Sequence, residues 1–164
     1  MKTLVISDLH NDVKATEEIL RYFDENHFNK LFILGDIGYY CLEYLNPYAD
    51  KITAVAGNND YDDVIEASKF PLPLINYAYD FNKLFVLTHG HIYNEYNYSK
   101  PFDVMLLGHS HIKRLAVDYD NHIIANPGSL SRPRDGIASF MTIDEKGIYL
   151  HSRSSKEVIQ KLEF

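Results

Sequence analysis

Apolar residues along this chain gather in short blocks, and the spacing within and between blocks predicts most of its elements. Thr3 to Ile6 is a β-branched run read as a buried strand. Asn11 or Asp12 can cap a helix in which Ala15, Ile19 and Phe23 recur every four residues and Leu20 widens the stripe. Leu31 to Leu34 predicts a second strand ending at Gly35-Asp36, followed by a helical stretch to about Tyr48 that Pro47 helps to stop. Ile52 to Ala56 predicts a third strand, closed by Gly57-Asn58-Asn59-Asp60. Such alternation implies right-handed crossovers and a parallel sheet.

The second half reads differently. Pro71 to Thr88 predicts two strands around an Asp80-Phe81-Asn82-Lys83 turn. Val104 to Leu107, Leu115 to Asp118 and His122 to Ala125 are further short strands. Ile137 to Ile143 and Ile148 to Ser152 flank another hairpin turn, Asp144 to Gly147. Antiparallel additions thus follow a parallel core, and two packed sheets with helices outside satisfy the pattern. No repeat or linker divides the chain, so residues 1–164 are expected to form one domain.

Composition narrows the function classes. No apolar run approaches the ~20 residues that span a bilayer. The N-terminal apolar run is too short for a leader, and the single cysteine, Cys41, permits no internal disulfide. Both point to a reducing, cytoplasmic setting. The net charge of -7, with no basic cluster longer than Lys113-Arg114, disfavours nucleic acid as a partner. A small anionic substrate remains compatible if one site is locally positive. Nothing indicates membrane association, and a homo-oligomer is left open.

The candidate chemistry sits where strands are expected to end. Asp8-Leu9-His10, Gly35-Asp36, Gly57-Asn58-Asn59-Asp60, His89-Gly90-His91 and Gly108-His109-Ser110-His111 all fall there. The carboxyl ends of parallel strands share one edge, so loops after different strands can converge. Asp8 with His10, and His109 with His111, are i, i+2 pairs that point to one side if the chain is extended. Taken singly, a Gly-Asp is usually a turn, and Asp8 and Asp12 could both be helix caps. Four of the eight histidines fall in the last two clusters, however, whereas His27, His122 and His151 read as surface or structural. Carboxylates, imidazoles and an amide without a thiolate suit Mn, Fe, Zn, Co or Ni. Seven candidate ligands exceed what one ion needs, which favours two.

The ordered set Ser-Asp-x-His, Gly-Asp, Gly-Asn-x-Asp, Thr-His-Gly-His and Gly-His-x-His resembles the calcineurin-like metallophosphoesterases. More narrowly, it is similar to small single-domain phosphodiesterases of the YfcE type, whose late motif is matched by Asn126-Pro127-Gly128-Ser129 and Arg132-Pro133-Arg134. The resemblance implies an α/β fold, a four-layer αββα sandwich of two mixed sheets flanked by helices. It also implies two divalent transition-metal ions, manganese first, with nickel, cobalt, iron or zinc as alternatives. Asp8, His10 and His111 would hold one ion, Asn58, His89 and His109 the other, and Asp36 would bridge them.

The expected activity is hydrolysis of a small phosphodiester or phosphomonoester by a metal-bridging hydroxide. Two divalent ions against Asp8, Asp36 and hydroxide leave roughly one positive charge, enough to draw a phosphate to an acidic protein. Asn58, Arg132 and Arg134 are the candidates to face that phosphate. Asn59 stands where many family members carry an acid histidine, and an amide cannot protonate a leaving group; His91 is a candidate substitute or a supporting residue. Among the thirteen tyrosines, Tyr39, Tyr40, Tyr93, Tyr96 and Tyr98 are candidates to line a pocket for an aromatic group, although packing and surface are the default. The competing readings are a protein-binding scaffold on the same fold, a nuclease of the same superfamily and a closed structural metal site. They require lost ligands, a basic groove and a full protein ligand shell, respectively.

Overall fold

The structure is a computed structural model describing residues 1–164. Chain order is β1 (Thr3–Ile6), α1 (Val13–Glu25), β2 (Lys30–Ile33), α2 (Leu42–Leu45), β3 (Ile52–Ala54), α3 (Asp62–Ala67), β4 (Ile75–Asp80) and β5 (Lys83–Thr88). There follow β6 (Val104–Leu106), β7 (Arg114–Val117), β8 (Ile123–Asn126), β9 (Ser139–Asp144), β10 (Gly147–Ser152) and β11 (Val158–Glu163).

Helix α1 starts where its cap predicts. The Asp12 carboxylate accepts the Ala15 N–H at 2.9 Å, and the buried stripe is Ala15, Ile19, Leu20 and Phe23, with Thr16. The next α-helix stops at Leu45, with Asn46 as its C-cap, just ahead of Pro47. Pro47 lies in the first turn of a 3₁₀ segment, Asn46–Lys51, where its missing N–H costs nothing. Helix α3 and strand β11 have no counterpart among the sequence-predicted elements. The helix buries only Val64, and β11 is an edge strand exposed at nearly every position, so neither shows the periodic apolar pattern that marks a buried element. The hairpin at Asp80–Lys83 closes through Phe81 and Asn82, both at positive φ (54° and 58°), as a tight two-residue connection requires.

Strands β1, β2 and β3 are parallel, and β9, β10 and β11 extend that sheet antiparallel on the far side of β1, in the order β11-β10-β9-β1-β2-β3. The second sheet runs β4-β5-β6-β8-β7, with β5, β6 and β8 parallel. These are the two mixed sheets and flanking helices expected from the sequence. Alternate residues of β1 and β2 split between two cores. Leu4, Ile6, Leu31 and Ile33 pack under Ile19, Phe23, Leu42, Leu45 and Val64, so all the α-helices cover one outer face. Val5 and Phe32 join Phe85, Leu87, Val104 and Leu106 between the sheets. The outer face of the second sheet (Val86, Met105, Leu107 and Ile124) is covered by Tyr98 and Phe102 from a segment without helix. Fully burying such a side chain stabilises by roughly 1.5–3 kcal/mol, so the two main cores hold the strand ends in place. No helix is long and apolar enough to cross a membrane.

Candidate metal centre

The loops after β1, β2, β3, β5 and β6 leave the same edge of the sandwich, and the five motif clusters ride on them. Their convergence has a different cause from the one the i, i+2 spacing suggests. Asp8, His10, Asp36, His109 and His111 are not extended; all have positive φ, between 45° and 70°. That conformation costs of order 1–3 kcal/mol per residue bearing a Cβ and persists only where neighbours over-determine it. Here they do. Asp8 N–H donates to Gly35 O, His10 N–H to Asp36 O, Gly108 N–H to His89 O and Leu130 N–H to Ser7 O, all within 2.9–3.1 Å.

Three of the expected ligands, Asp8, His10 and His111, form one group, with His111 Nε2 3.2 Å and His10 Nε2 3.6 Å from Asp8 Oδ1. Asp36 and His89 form a second with Asp8, His89 Nε2 lying 3.4 Å from Asp36 Oδ2. Asn58 Oδ1 completes it, 3.1 Å from both His89 Nε2 and His109 Nδ1. Asp36 Oδ2 is also 3.5 Å from His10 Nε2, so this carboxylate stands between the halves. Asp8 Oδ1, 3.9 Å from His89 Nε2, borders both as well. All seven sequence-predicted ligands therefore converge.

The donor set fits divalent cations. Asp8 Oδ1 is buried without a hydrogen-bond donor. His89 Nδ1 is 2.6 Å from Leu34 O and His111 Nδ1 is 2.7 Å from Arg132 O, so each ring gives its Nδ1–H to a carbonyl and turns Nε2 inward. Lone pairs and carboxylate oxygens crowded to 3.1–3.6 Å repel unless positive charge lies among them. The titration tendencies agree. Burial opposes a charge on His89, but the Asp36 hydrogen bond and the Asp8 and Asp36 charges outweigh it and raise its pKa. Burial likewise opposes ionisation of Asp36, yet His89 and the Asn59 donors hold its carboxyl well below the usual range. His109 is lowered, first by burial and then by the His89 charge.

Supporting residues lie around these groups. Asn59 donates to both Asp36 oxygens, from its backbone N–H and from Nδ2, each at 2.9 Å. Ser7 Oγ and the His109 N–H both donate to Asp8 Oδ2. Ser129 and Ser131 donate to the Asp8 carbonyl at 2.8 and 2.9 Å. Asn126 Nδ2 holds Gly108 O. These serines and Asn126 were not predicted as site residues, although Ser129 and Asn126 belong to the Asn-Pro-Gly-Ser motif that could have signalled them. Gly57 is required sterically, since a Cβ there would run into Asp36 Oδ1.

A cleft of about 410 Å³ opens over the centre, bordered by His10, Asp36, Asn58, Asn59, His109 and His111 with Arg132 and Arg134 on its rim. Both arginines are exposed, and the Arg132 backbone carbonyl is the acceptor that orients His111. His91 does not border this cleft. Its ring lies behind the ligands, 5.3 Å from His89 and 6.2 Å from His109 between centroids, and burial, then the neighbouring His89 and His109 charges, lower its pKa. Tyr39 and Tyr61 border an adjoining cleft, whereas Tyr96 borders a separate cavity beyond His109. Tyr61 was not among the tyrosines singled out in the sequence.

Two mixed sheets with aspartate, histidine and asparagine side chains gathered from the loops after β1, β2, β3, β5 and β6 define a family. The chain belongs to the calcineurin-like phosphoesterase superfamily, whose domain model matches residues 1–147. It is 30% identical to phosphodiesterase YfcE of Escherichia coli K12 over 181 residues, covering 99% of this chain and 97% of that protein. The solved structure of the E. coli phosphoesterase YfcE superposes with a TM-score of 0.92 at 28% identity, covering 99% of both chains. The vacuolar protein sorting 29 structure from Cryptosporidium parvum shares the fold, at TM-score 0.73 and 18% identity over 99% of this chain and 97% of that one.

Proposed function

We propose that this chain works as a single-domain, metal-dependent phosphodiesterase acting on a small phosphorylated molecule. Asp8, His10 and His111 hold one divalent cation, Asn58, His89 and His109 a second, and Asp36 lies between them. The observation that carries the reading is the inward crowding of acceptors, above all the buried, donorless Asp8 Oδ1 facing His111 Nε2 at 3.2 Å. When bound, two such cations lower the pKa of water and offset charge on phosphoryl oxygens. Mixed nitrogen and oxygen donors suit manganese, nickel, cobalt, iron or zinc.

The chain's own groups do the rest. Arg132 and Arg134, exposed at the rim of an acidic protein, attract the phosphate and offer paired N–H donors to its oxygens. Asn58, which borders the same cleft, faces the substrate as well as the cation. Asn59 holds Asp36 in one rotamer through two bonds and offers no proton to a leaving group. His91, behind His89 and His109, positions those rings. A scaffold on this fold needs no ligands, and all seven donors are retained.

Hydrolysis of bis(p-nitrophenyl) phosphate by chelator-stripped protein, resupplied in turn with Mn²⁺, Ni²⁺, Co²⁺, Zn²⁺ and Mg²⁺, tests the reading. Activity returns with transition metals and falls by about 10²-fold or more in His109→Ala. No activity with any metal refutes it and leaves scaffolding as the better account.

A further inference from the structure

We propose that the cleft over the metal centre continues into a preformed slot for a flat aromatic group esterified to the phosphate, with Tyr39 and Tyr61 as its walls. The inference rests on the phosphoesterase reading above and adds to it the chemical class of the ester group. An adjoining cleft of about 300 Å³ meets the catalytic one, and His10, Asp36, Asn59 and Arg132 border both. A substituent on a phosphate held in the first therefore enters the second directly.

The two rings are available to such a group. Tyr39 is 50% exposed and Tyr61 68%, and neither packs into any of the hydrophobic cores. Their placement is set by one side chain, the buried carboxylate of Asp60. Its Oδ1 accepts the Ile37 and Gly38 N–H groups at 2.9 and 3.3 Å, just before Tyr39, and its Oδ2 accepts the Gly57 N–H at 2.8 Å. Asp60 itself immediately precedes Tyr61, which caps α3. The separation of the walls is thus built into the backbone on both sides. Tyr39 is further braced edge-on by Tyr40 at 5.8 Å, and the Tyr40 N–H is held by Asn11 Oδ1 at 3.0 Å. A backbone fixed on both sides limits what ordering the two rings costs on binding, and aromatic faces suit a planar ring better than an alkyl chain.

Titration of the full-length Mn²⁺-loaded protein with phenylphosphonate, methylphosphonate and inorganic phosphate, none of which has an ester bond to cleave, is the test. Phenylphosphonate is expected to bind about tenfold more tightly than methylphosphonate, the scale of one set of aromatic contacts. The double variant Tyr39→Ala/Tyr61→Ala erases that gain and leaves the affinity for inorganic phosphate unchanged, whereas Tyr39→Phe/Tyr61→Phe keeps both. Because the rings are mostly exposed, the thermal midpoint of the double variant stays at the wild-type value, and each single alanine variant removes part of the gain. Equal wild-type affinity for the two phosphonates, or a gain that survives loss of both rings, overturns the slot while the metal reading stands. If inorganic phosphate does not bind, the metal reading fails and the slot fails with it.

Discussion

Asn59 grips both oxygens of Asp36, one with its backbone N–H and one with its side-chain amide, each at 2.9 Å. This residue thus fixes the carboxylate that stands between the two groups of candidate ligands.

Chemistry without a proton donor at this place should depend steeply on the leaving group. Diesters of p-nitrophenol are expected to be cleaved faster than alkyl esters by at least the ~10²–10⁴-fold that a general acid commonly supplies. Rates on an aryl and alkyl series, with chemistry shown to be limiting, measure this, and a flat series contradicts it. Asn59→Ala should also loosen Asp36 and weaken metal binding by about 10–100-fold in a metal titration.

Ser129→Ala tests the support beneath Asp8. The buried hydroxyl donates to the Asp8 carbonyl and accepts the Ser131 and Arg132 N–H groups. Its loss is expected to cost about 1–3 kcal/mol in chemical denaturation. Metal affinity should fall in parallel, because Asp8 loses part of what holds it at positive φ. An unchanged metal affinity would show that Ser131 suffices.

Gly57→Ala should leave the helix layer intact but displace the Asp36 carboxylate that its Cβ would meet. Loss of tight metal binding with native-like far-ultraviolet circular dichroism is the expected result. Retention of wild-type affinity would mean that Asp36 can move without consequence.

His151 predicts a specific pH dependence of stability. It is buried, stacked on Phe140 at 4.9 Å, with Nδ1 2.9 Å from Lys156 O and Nε2 2.8 Å from Thr142 Oγ1. Burial lowers its pKa, although the Lys156 carbonyl opposes the shift. The unfolded chain therefore takes up this proton first, near pH 6.5. The contribution is complete above that pH, declines as pH falls through the window between the unfolded and folded values, and levels off below the folded one. In His151→Gln the fall in urea midpoint between pH 7 and pH 5 should be shallower than in the wild type. Parallel curves would place the effect elsewhere.

Local pattern alone determined a good deal. Ala15, Ile19 and Phe23 at helical spacing after Asp12 are enough to define α1, because burial of one stripe and satisfaction of one cap are short-range demands. The apolar runs at Thr3, Leu31 and Ile52 are enough for β1 to β3, and the order of the aspartate, asparagine and histidine clusters is enough to pick out the side chains that gather at one edge. Tertiary structure alone decided what holds those ligands. The Leu34 and Arg132 carbonyls that orient His89 and His111 carry no side-chain signature, and the positive φ of Asp8 and His111 comes from distant backbone partners. It also decided that Pro47 begins a turn of helix, that His91 lies behind the ligands, and that Tyr39 and Tyr61 face one cleft. A residue's type and its near neighbours set its chemistry and its local conformation. Contacts across more than a hundred residues, such as Ser129 with Asp8, depend on how the two sheets close, which no local window contains.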